Sequence, residues 1–378
     1  MSLEESRRGG IRAEEDKMTY GRFRKIAAGA GILAVLALGS VAARAAFRLD
    51  VRPGYGVTGI KWLSDYNPNL RGTDYDTAVY VMEGKKPGAT ALILAGAHPR
   101  EIGGVLTAEV LLENAEVEQG KLFVIPCLNA AGMSVPDALG QDPHQLPFES
   151  RQGRRWLYYG DRRIPLKKGE SDPEHFLHPL GYVHKDGSEW RNVNRNYPGL
   201  ADGTPAQMVT FGVMELIRRE KPASCLDMHE ATAPEEVFDP RDGKKHPGGS
   251  LSYSLITHPK YLEPCIEMIL ELEERGVSLK PEQSVPGFRG ISHYEIGEGT
   301  PCVPFLSETP NPAMNEHAVG ADPLRDARHP IEERVGIMME VLRVWFEKFP
   351  ELTGAPLAVN GLPSQKQIEA QGVGAWLQ

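Results

Sequence analysis

The sequence predicts an α/β protein: a single domain built on a mixed, mostly parallel twisted sheet with helices on both of its faces. Two observations lead there. Short apolar runs bounded by small residues have the length of buried strands, and they alternate with longer segments whose apolar residues recur at helical spacing. Strand, helix and strand follow one another in the order that gives a right-handed crossover between parallel neighbours.

Along the chain, 51–71 is rich in Gly, Pro, Asn and Asp and reads as an irregular lead-in, while 77–82 alternates enough to be a strand. Ala91-Leu92-Ile93-Leu94-Ala95 is a buried strand, after which Ile102, Val105, Leu106, Val110 and Leu111 mark a helix over 101–117. A third apolar run covers 122–129. From 133 to 189 the chain turns to Pro, Gly, charged and aromatic residues, and a loop of that length in a compact domain is usually functional or disordered. Periodicity returns with a helix over 205–219, strands over 224–228 and 251–256, and a helix over 259–275. A glycine-bearing stretch, 287–300, reads as a mobile loop ahead of a strand over 303–307 and a long helix over 331–349. The folded domain is therefore expected over 46–352, with 353–378 as a tail or terminal strand.

Composition narrows the function. Charged residues make up 25% and the net charge is -9, so no electrostatic footprint for nucleic acid exists. Neither a G-x-S-x-G elbow nor a phosphate-cradling G-x-x-x-x-G-K-[ST] is present, which argues against a serine hydrolase of the α/β type and a nucleotide hydrolase. Residues 1–45 differ from the rest. Arg22, Arg24 and Lys25 precede an uncharged stretch over 26–41, and Ala43-Arg44-Ala45 supplies a small-x-small site, the anatomy of a secretory signal peptide. An uncleaved anchor over 26–43 is the alternative, and membrane contact is expected only through that segment. Both readings place the protein outside the cytoplasm, periplasmic or extracellular. Cys127, Cys225, Cys265 and Cys302 show no C-x-x-C spacing and assign no disulfide.

The chemistry gathers at strand ends. His98-Pro99-Arg100-Glu101 stands where the 91–95 strand meets its helix, and ligands of open α/β sheets bind beyond the carboxyl ends of strands. Imidazole and carboxylate together suit zinc, which in catalytic sites keeps one position for water. His-x-x-Glu alone is common, but three other stretches accompany it. His229 follows the run Cys225-Leu226-Asp227-Met228 as His98 follows its own; Glu308 follows Pro304-Phe305-Leu306-Ser307; and between them lies Asn192-Val193-Asn194-Arg195-Asn196-Tyr197-Pro198-Gly199. The histidines at 144, 175, 178, 184, 246, 258, 317 and 329 read as loop or surface residues.

That order of motifs resembles the zinc carboxypeptidase superfamily, including its succinylglutamate desuccinylase and aspartoacylase branch, over residues 75–310. His98-Pro99-Arg100-Glu101 is similar to the zinc motif of the peptidase branch, and Asn194-Arg195-Asn196-Tyr197-Pro198-Gly199 to the substrate-carboxylate motif of both. The resemblance implies a metallocarboxypeptidase-like fold and one zinc ion held by His98, Glu101 and His229. Glu308 would be the general base that takes a proton from water and passes it to the leaving amine. Arg195, with Asn194, would grip a substrate carboxylate through a planar two-pronged donor set. Tyr294 would be the tyrosine of the mobile loop, and Arg191, or else Arg155, would stabilise the tetrahedral oxyanion. One departure stands out: the aspartate expected two residues before Asn194 is Asn192. A zinc histidine would thereby lose a charged acceptor for its far N–H, unless Asp186 or Asp227 substitutes.

The expected function is hydrolysis of an amide bond next to a free carboxylate, in a peptide or an N-acyl amino acid. The alternative class is a catalytically silent protein that holds a carboxylate ligand in the same crevice.

Overall fold

The apolar runs become the middle of a nine-stranded sheet. The structure, a computed structural model, describes residues 48–137 and 144–378; the leader expected over 1–45, with its possible anchor, lies outside the described residues. Among the described residues no helix is long and apolar enough to cross a membrane. The strands are β1 Gly59–Trp62, β2 Ala78–Glu83, β3 Lys86–Ala95, β4 Glu116–Ile125, β5 Ser224–Thr232, β6 Ser254–Thr257, β7 Lys280–Gln283, β8 Val303–Asn311 and β9 Ala358–Asn360. They lie in the order β1-β2-β4-β3-β5-β8-β6-β7, with β9 paired to β4. The four central strands β4, β3, β5 and β8 are parallel, and antiparallel pairs flank them. The longer helices are α1 Ile102–Asn114, α2 Pro205–Glu220, α3 Leu262–Glu274, α4 Ser292–Gly299, α5 Ile331–Glu347 and α6 Gln365–Gln371, with short helical turns at Ala130–Met133 and Phe349–Thr353.

Because successive strand residues point to opposite faces, each central strand feeds two cores. Ala91, Ile93, Leu122 and Val124 pack with residues of α1, α3 and α5, whereas Leu92, Leu94, Phe123 and Ile125 pack with residues of α2. Each such leucine or isoleucine stabilises by about 1.5–3 kcal/mol on burial. Helix α1 begins hard against β5. A Cβ at Gly103 would stand 2.5 Å from Glu230 Oε1, and one at Gly104 2.7 Å from the Met228 carbonyl oxygen.

Four stretches differ from the sequence expectation. The 133–189 excursion carries a hairpin, Gln145–Ser150 with Gly153–Tyr158, whose partly exposed strands lack an apolar signature. It is clamped down by Arg155, buried and paired with Glu109 at 2.9 Å and Glu113 at 2.7 Å on α1. The glycine-bearing stretch at 287–300 contains helix α4. The irregular lead-in supplies β1, paired with β2. Residues 353–378, expected as a tail or terminal strand, supply β9 and α6 and bury Ile368, Val373 and Leu377 in the α5 core. All four cysteines are buried free thiols.

Candidate metal centre

Strands β3, β5 and β8 are parallel neighbours, so their carboxyl ends open along one edge. Ala95 pairs with Met228 and His229 with Glu308, which brings the turn after β3, His229 and Glu308 to one level. Gly96 makes the turn possible: its φ is +65°, and a Cβ there would lie 2.9 Å from the Cys127 Cα. The chain then folds back, with the Glu101 N–H donating to the His98 carbonyl at 2.9 Å, and the Glu101 carboxylate returns to its own histidine.

The three expected ligands converge. Glu101 Oε1 is 2.6 Å from His98 Nδ1, Glu101 Oε2 is 2.7 Å from His229 Nδ1, and the two Nδ1 atoms are 3.2 Å apart. The far nitrogens are held by acceptors. His98 Nε2 lies 2.9 Å from Asn192 Oδ1, and His229 Nε2 lies 3.1 Å from Asp227 Oδ2. The Asn192 amide orientation is fixed because its Nδ2 donates to Glu189 Oε2 at 2.7 Å. With each Nε2–H donated outward, both Nδ1 atoms face the Glu101 carboxylate and each other, and a cation bound among them would take the place of the proton that His229 otherwise shares with Glu101. Zinc bonds of about 2.1 Å at tetrahedral angles separate donor atoms by about 3.4 Å. The nitrogen pair already has that spacing, and the carboxylate needs to withdraw by about 0.7 Å, so the residues fit zinc.

Electrostatics agree with a strongly coupled group. Burial works against ionised Glu101, yet His98 and His229 hold it well below the usual carboxylate range. Burial likewise opposes charge on His229, but Asp227 and Glu101 raise it well above an ordinary histidine. Burial, then Arg162, lowers His98 to about 4. Glu308 is pushed up to about 8, by burial first and the Glu101 charge second, and its Oε2 has no hydrogen-bond partner among the described residues.

His98, Glu101, His229, Glu308, Asn194 and Arg195 all line one crevice of about 400 Å³. Burial, then Arg162, lowers the Arg195 guanidinium to about 10, and that group stacks 4.9 Å over the Phe288 ring. Three expected residues are elsewhere. Arg191 is bound to Asp172 through Nε and Nη2, each at 2.7 Å, and does not line the crevice. Arg155 is the clamp on α1 described above. Tyr294 is buried and does not line the crevice, its ring 5.0 Å from that of His258 and 5.3 Å from the Arg289 guanidinium carbon.

The structure puts other side chains in their places. Arg162 lines the crevice with its Nη1 3.9 Å from Glu101 Oε1. Nothing in the sequence separates it from Arg154, Arg155 and Arg163. His293, the neighbour of Tyr294, lines the crevice where the tyrosine does not. Asp186 caps a 3₁₀ turn rather than a histidine, so Asn192 and Asp227 are the outer acceptors.

A second cluster, Asp239, His246 and His317, also brings ligand-type atoms together. Both Asp239 oxygens are engaged by Arg241, at 2.9 and 2.7 Å. The two rings stack 3.4 Å apart with 4° between planes, so their in-plane lone pairs run parallel instead of converging.

No protein-family model matches the chain, and no curated protein matches its sequence. Solved structures similar to it include the cell shape determinant protein Csd4 of Helicobacter pylori, at 12% identity and a TM-score of 0.45. That match covers 77% of this chain and 58% of the Csd4 chain. Another is a succinylglutamate desuccinylase/aspartoacylase of Rhodobacter sphaeroides, at 16% identity and a TM-score of 0.39, covering 82% of this chain and 69% of that one. A third is the ectoine utilization protein EutE (DoeB) of Ruegeria pomeroyi, at 13% identity and a TM-score of 0.40, covering 76% and 64%. The functional reading rests on the side-chain geometry and not on these likenesses.

Proposed function

We propose that this chain is a zinc-dependent hydrolase of an amide bond adjacent to a free carboxylate, acting on a peptide or an N-acyl amino acid. One observation carries the reading: two imidazole Nδ1 atoms and a carboxylate converge on the wall of a crevice that also holds two arginines and a buried carboxylate, one oxygen of which has no hydrogen-bond partner among the described residues. His98, Glu101 and His229 would hold the ion. When bound there, zinc supplies Lewis acidity that brings water's pKa towards neutrality and polarises a carbonyl.

The remaining work falls to the chain's own groups. Arg195, which lines the same crevice, pairs with the substrate carboxylate and so fixes which amide bond lies over the metal group. Glu308 takes a proton from the attacking water and returns it to the leaving nitrogen. Arg162 faces the region where the carbonyl oxygen gains charge and offsets that charge as it develops. Asn192 and Asp227 keep both histidines in the tautomer that leaves Nδ1 free.

Turnover of short peptides and N-acyl amino acids by zinc-loaded protein tests this. Glu308→Gln should lower kcat by about 10²–10⁴-fold while zinc content is unchanged. Equal activity in that variant, or full activity after chelation, would exclude the reaction.

A further inference from the structure

His293, the second residue of α4, has no part in the steps above, yet it lines the same crevice. Its side chain is buried, and Nδ1 has no hydrogen-bond partner among the described residues. A buried polar atom left unpaired in a native fold is unfavourable and calls for a partner from outside the chain. The ring is also held in place. Ser292 donates through Oγ to Asp227 Oδ2 at 2.6 Å and through its backbone N–H to Asn194 Oδ1 at 2.8 Å, tying the start of α4 to the outer acceptor of His229 and to the neighbour of Arg195. Just before it, the Gly290 carbonyl accepts from the Tyr197 N–H at 3.0 Å, so the segment 290–293 packs along the strip that carries Arg195.

This places His293 on the carboxylate side of the crevice, where the amino-acid half of a substrate would lie. Ile256, Phe288, Ile291 and Leu306 line the same space, alongside polar residues such as Gln283 and Ser284. Burial lowers the imidazole to about 3, so it is neutral at physiological pH, with one nitrogen to donate and one to accept.

We propose that His293 is a specificity-determining residue, selecting in the amino-acid half of the substrate a side chain with an uncharged hydrogen-bonding tip over an apolar one of the same shape. The inference rests on the proposed amide hydrolysis and names its substrate class. An apolar side chain seated there would leave the imidazole unpaired and cut off from water, and sites built to hydrogen-bond a substrate group reject the analogue lacking it.

Asparagine and leucine have nearly the same shape and make the test. With N-acyl-asparagine and N-acyl-leucine, the wild type should favour asparagine by about tenfold or more in kcat/KM. His293→Leu should bring that ratio to one or below, and His293→Gln, which restores a donor and an acceptor, should recover it in part. Calorimetry of the same two compounds on zinc-loaded Glu308→Gln protein should show the same preference in Kd. A wild type that treats the pair alike, or a His293→Leu protein that keeps the preference, overturns the assignment. If neither compound is hydrolysed, the reaction fails while the Kd ratio still decides the role of His293.

Discussion

Asn192 occupies a place where a charged acceptor for a zinc histidine is expected, and the obvious improvement is Asn192→Asp. The structure says otherwise. The Asn192 Nδ2 donates to Glu189 Oε2 at 2.7 Å while its Oδ1 accepts from His98 Nε2 at 2.9 Å, so the amide passes the Glu189 charge on to the histidine. An aspartate at 192 would face Glu189 with two oxygens and no proton between them. Relaxed to about 4 Å, two carboxylates repel by about 1 kcal/mol in water and about 4 kcal/mol at the dielectric of a protein surface. Arg163 and Arg195, at 3.2 and 3.3 Å from Glu189, return part of that cost. The pair would relieve the rest by sharing one proton, which leaves the net charge behind His98 as it was. Asn192→Asp should therefore lose about 1–4 kcal/mol in urea unfolding of the metal-free protein, and its zinc affinity in competition with a chelating dye should change less than about tenfold. Adding Glu189→Gln removes the clash and puts the charge directly on His98; the double variant should regain stability relative to the single one and bind zinc more tightly, by up to about the 10–100-fold typical of such outer partners. Zinc affinity raised tenfold or more by Asn192→Asp alone, without loss of stability, would refute the relay through the amide.

Two further outcomes follow from individual side chains. Arg155→Ala strands Glu109 and Glu113 in the core and should cost about 3–5 kcal/mol in chemical unfolding, whereas Arg191→Ala, which removes a partly exposed pair with Asp172, should cost about 1 kcal/mol or less and leave kcat within a factor of two to three; a large kcat loss confined to Arg191→Ala would return it to the reaction. His329 is raised above an ordinary histidine by Glu333, 3.6 Å from its Nδ1, and by Glu235, 2.9 Å from its Nε2, against the effect of burial. A raised folded-state pKa gives stability that is fully present below the unfolded value and is lost as pH rises through the folded one. Unfolding midpoints of the wild type should therefore fall relative to His329→Gln as pH climbs from about 6.5 through the alkaline side of neutrality; parallel curves over that interval would show that the pair carries no linkage.

Much of this arrangement is legible in the sequence because the central strands are covered on both faces. Residues 91–95, 122–125, 224–228 and 303–307 are then buried and mostly apolar, and a histidine or glutamate that ends such a run stands out. Parallel pairing of β3, β5 and β8 does the rest, since it brings the ends of separate runs to one edge. What escapes the sequence depends on partners far away in the chain. Arg155, on the hairpin strand, and Arg162, just after it, lie in one short charged stretch of the sequence, and only the position of Glu109 and Glu113 on α1 makes the first a clamp and leaves the second facing the crevice. Helix α4 is hidden by Gly297 and Gly299, and its start is tied by Asn194 and Asp227 from two other elements. The outer acceptor of His98 is an amide whose charge comes from Glu189, a pairing with no signature in residue type. Residues 353–378 carry too few apolar residues to declare themselves, yet Ile368, Val373 and Leu377 are enough to seat them on α5.

The most direct measurement is a crystal structure of zinc-loaded protein with anomalous data collected at the zinc edge, alongside the metal content of the same sample. The expected result is a single ion bonded to His98 Nδ1, His229 Nδ1 and the Glu101 carboxylate, with Glu308 and Arg162 facing the open side. Zinc found at Asp239, His246 and His317 instead, or no zinc taken up by folded protein, would contradict the central claim.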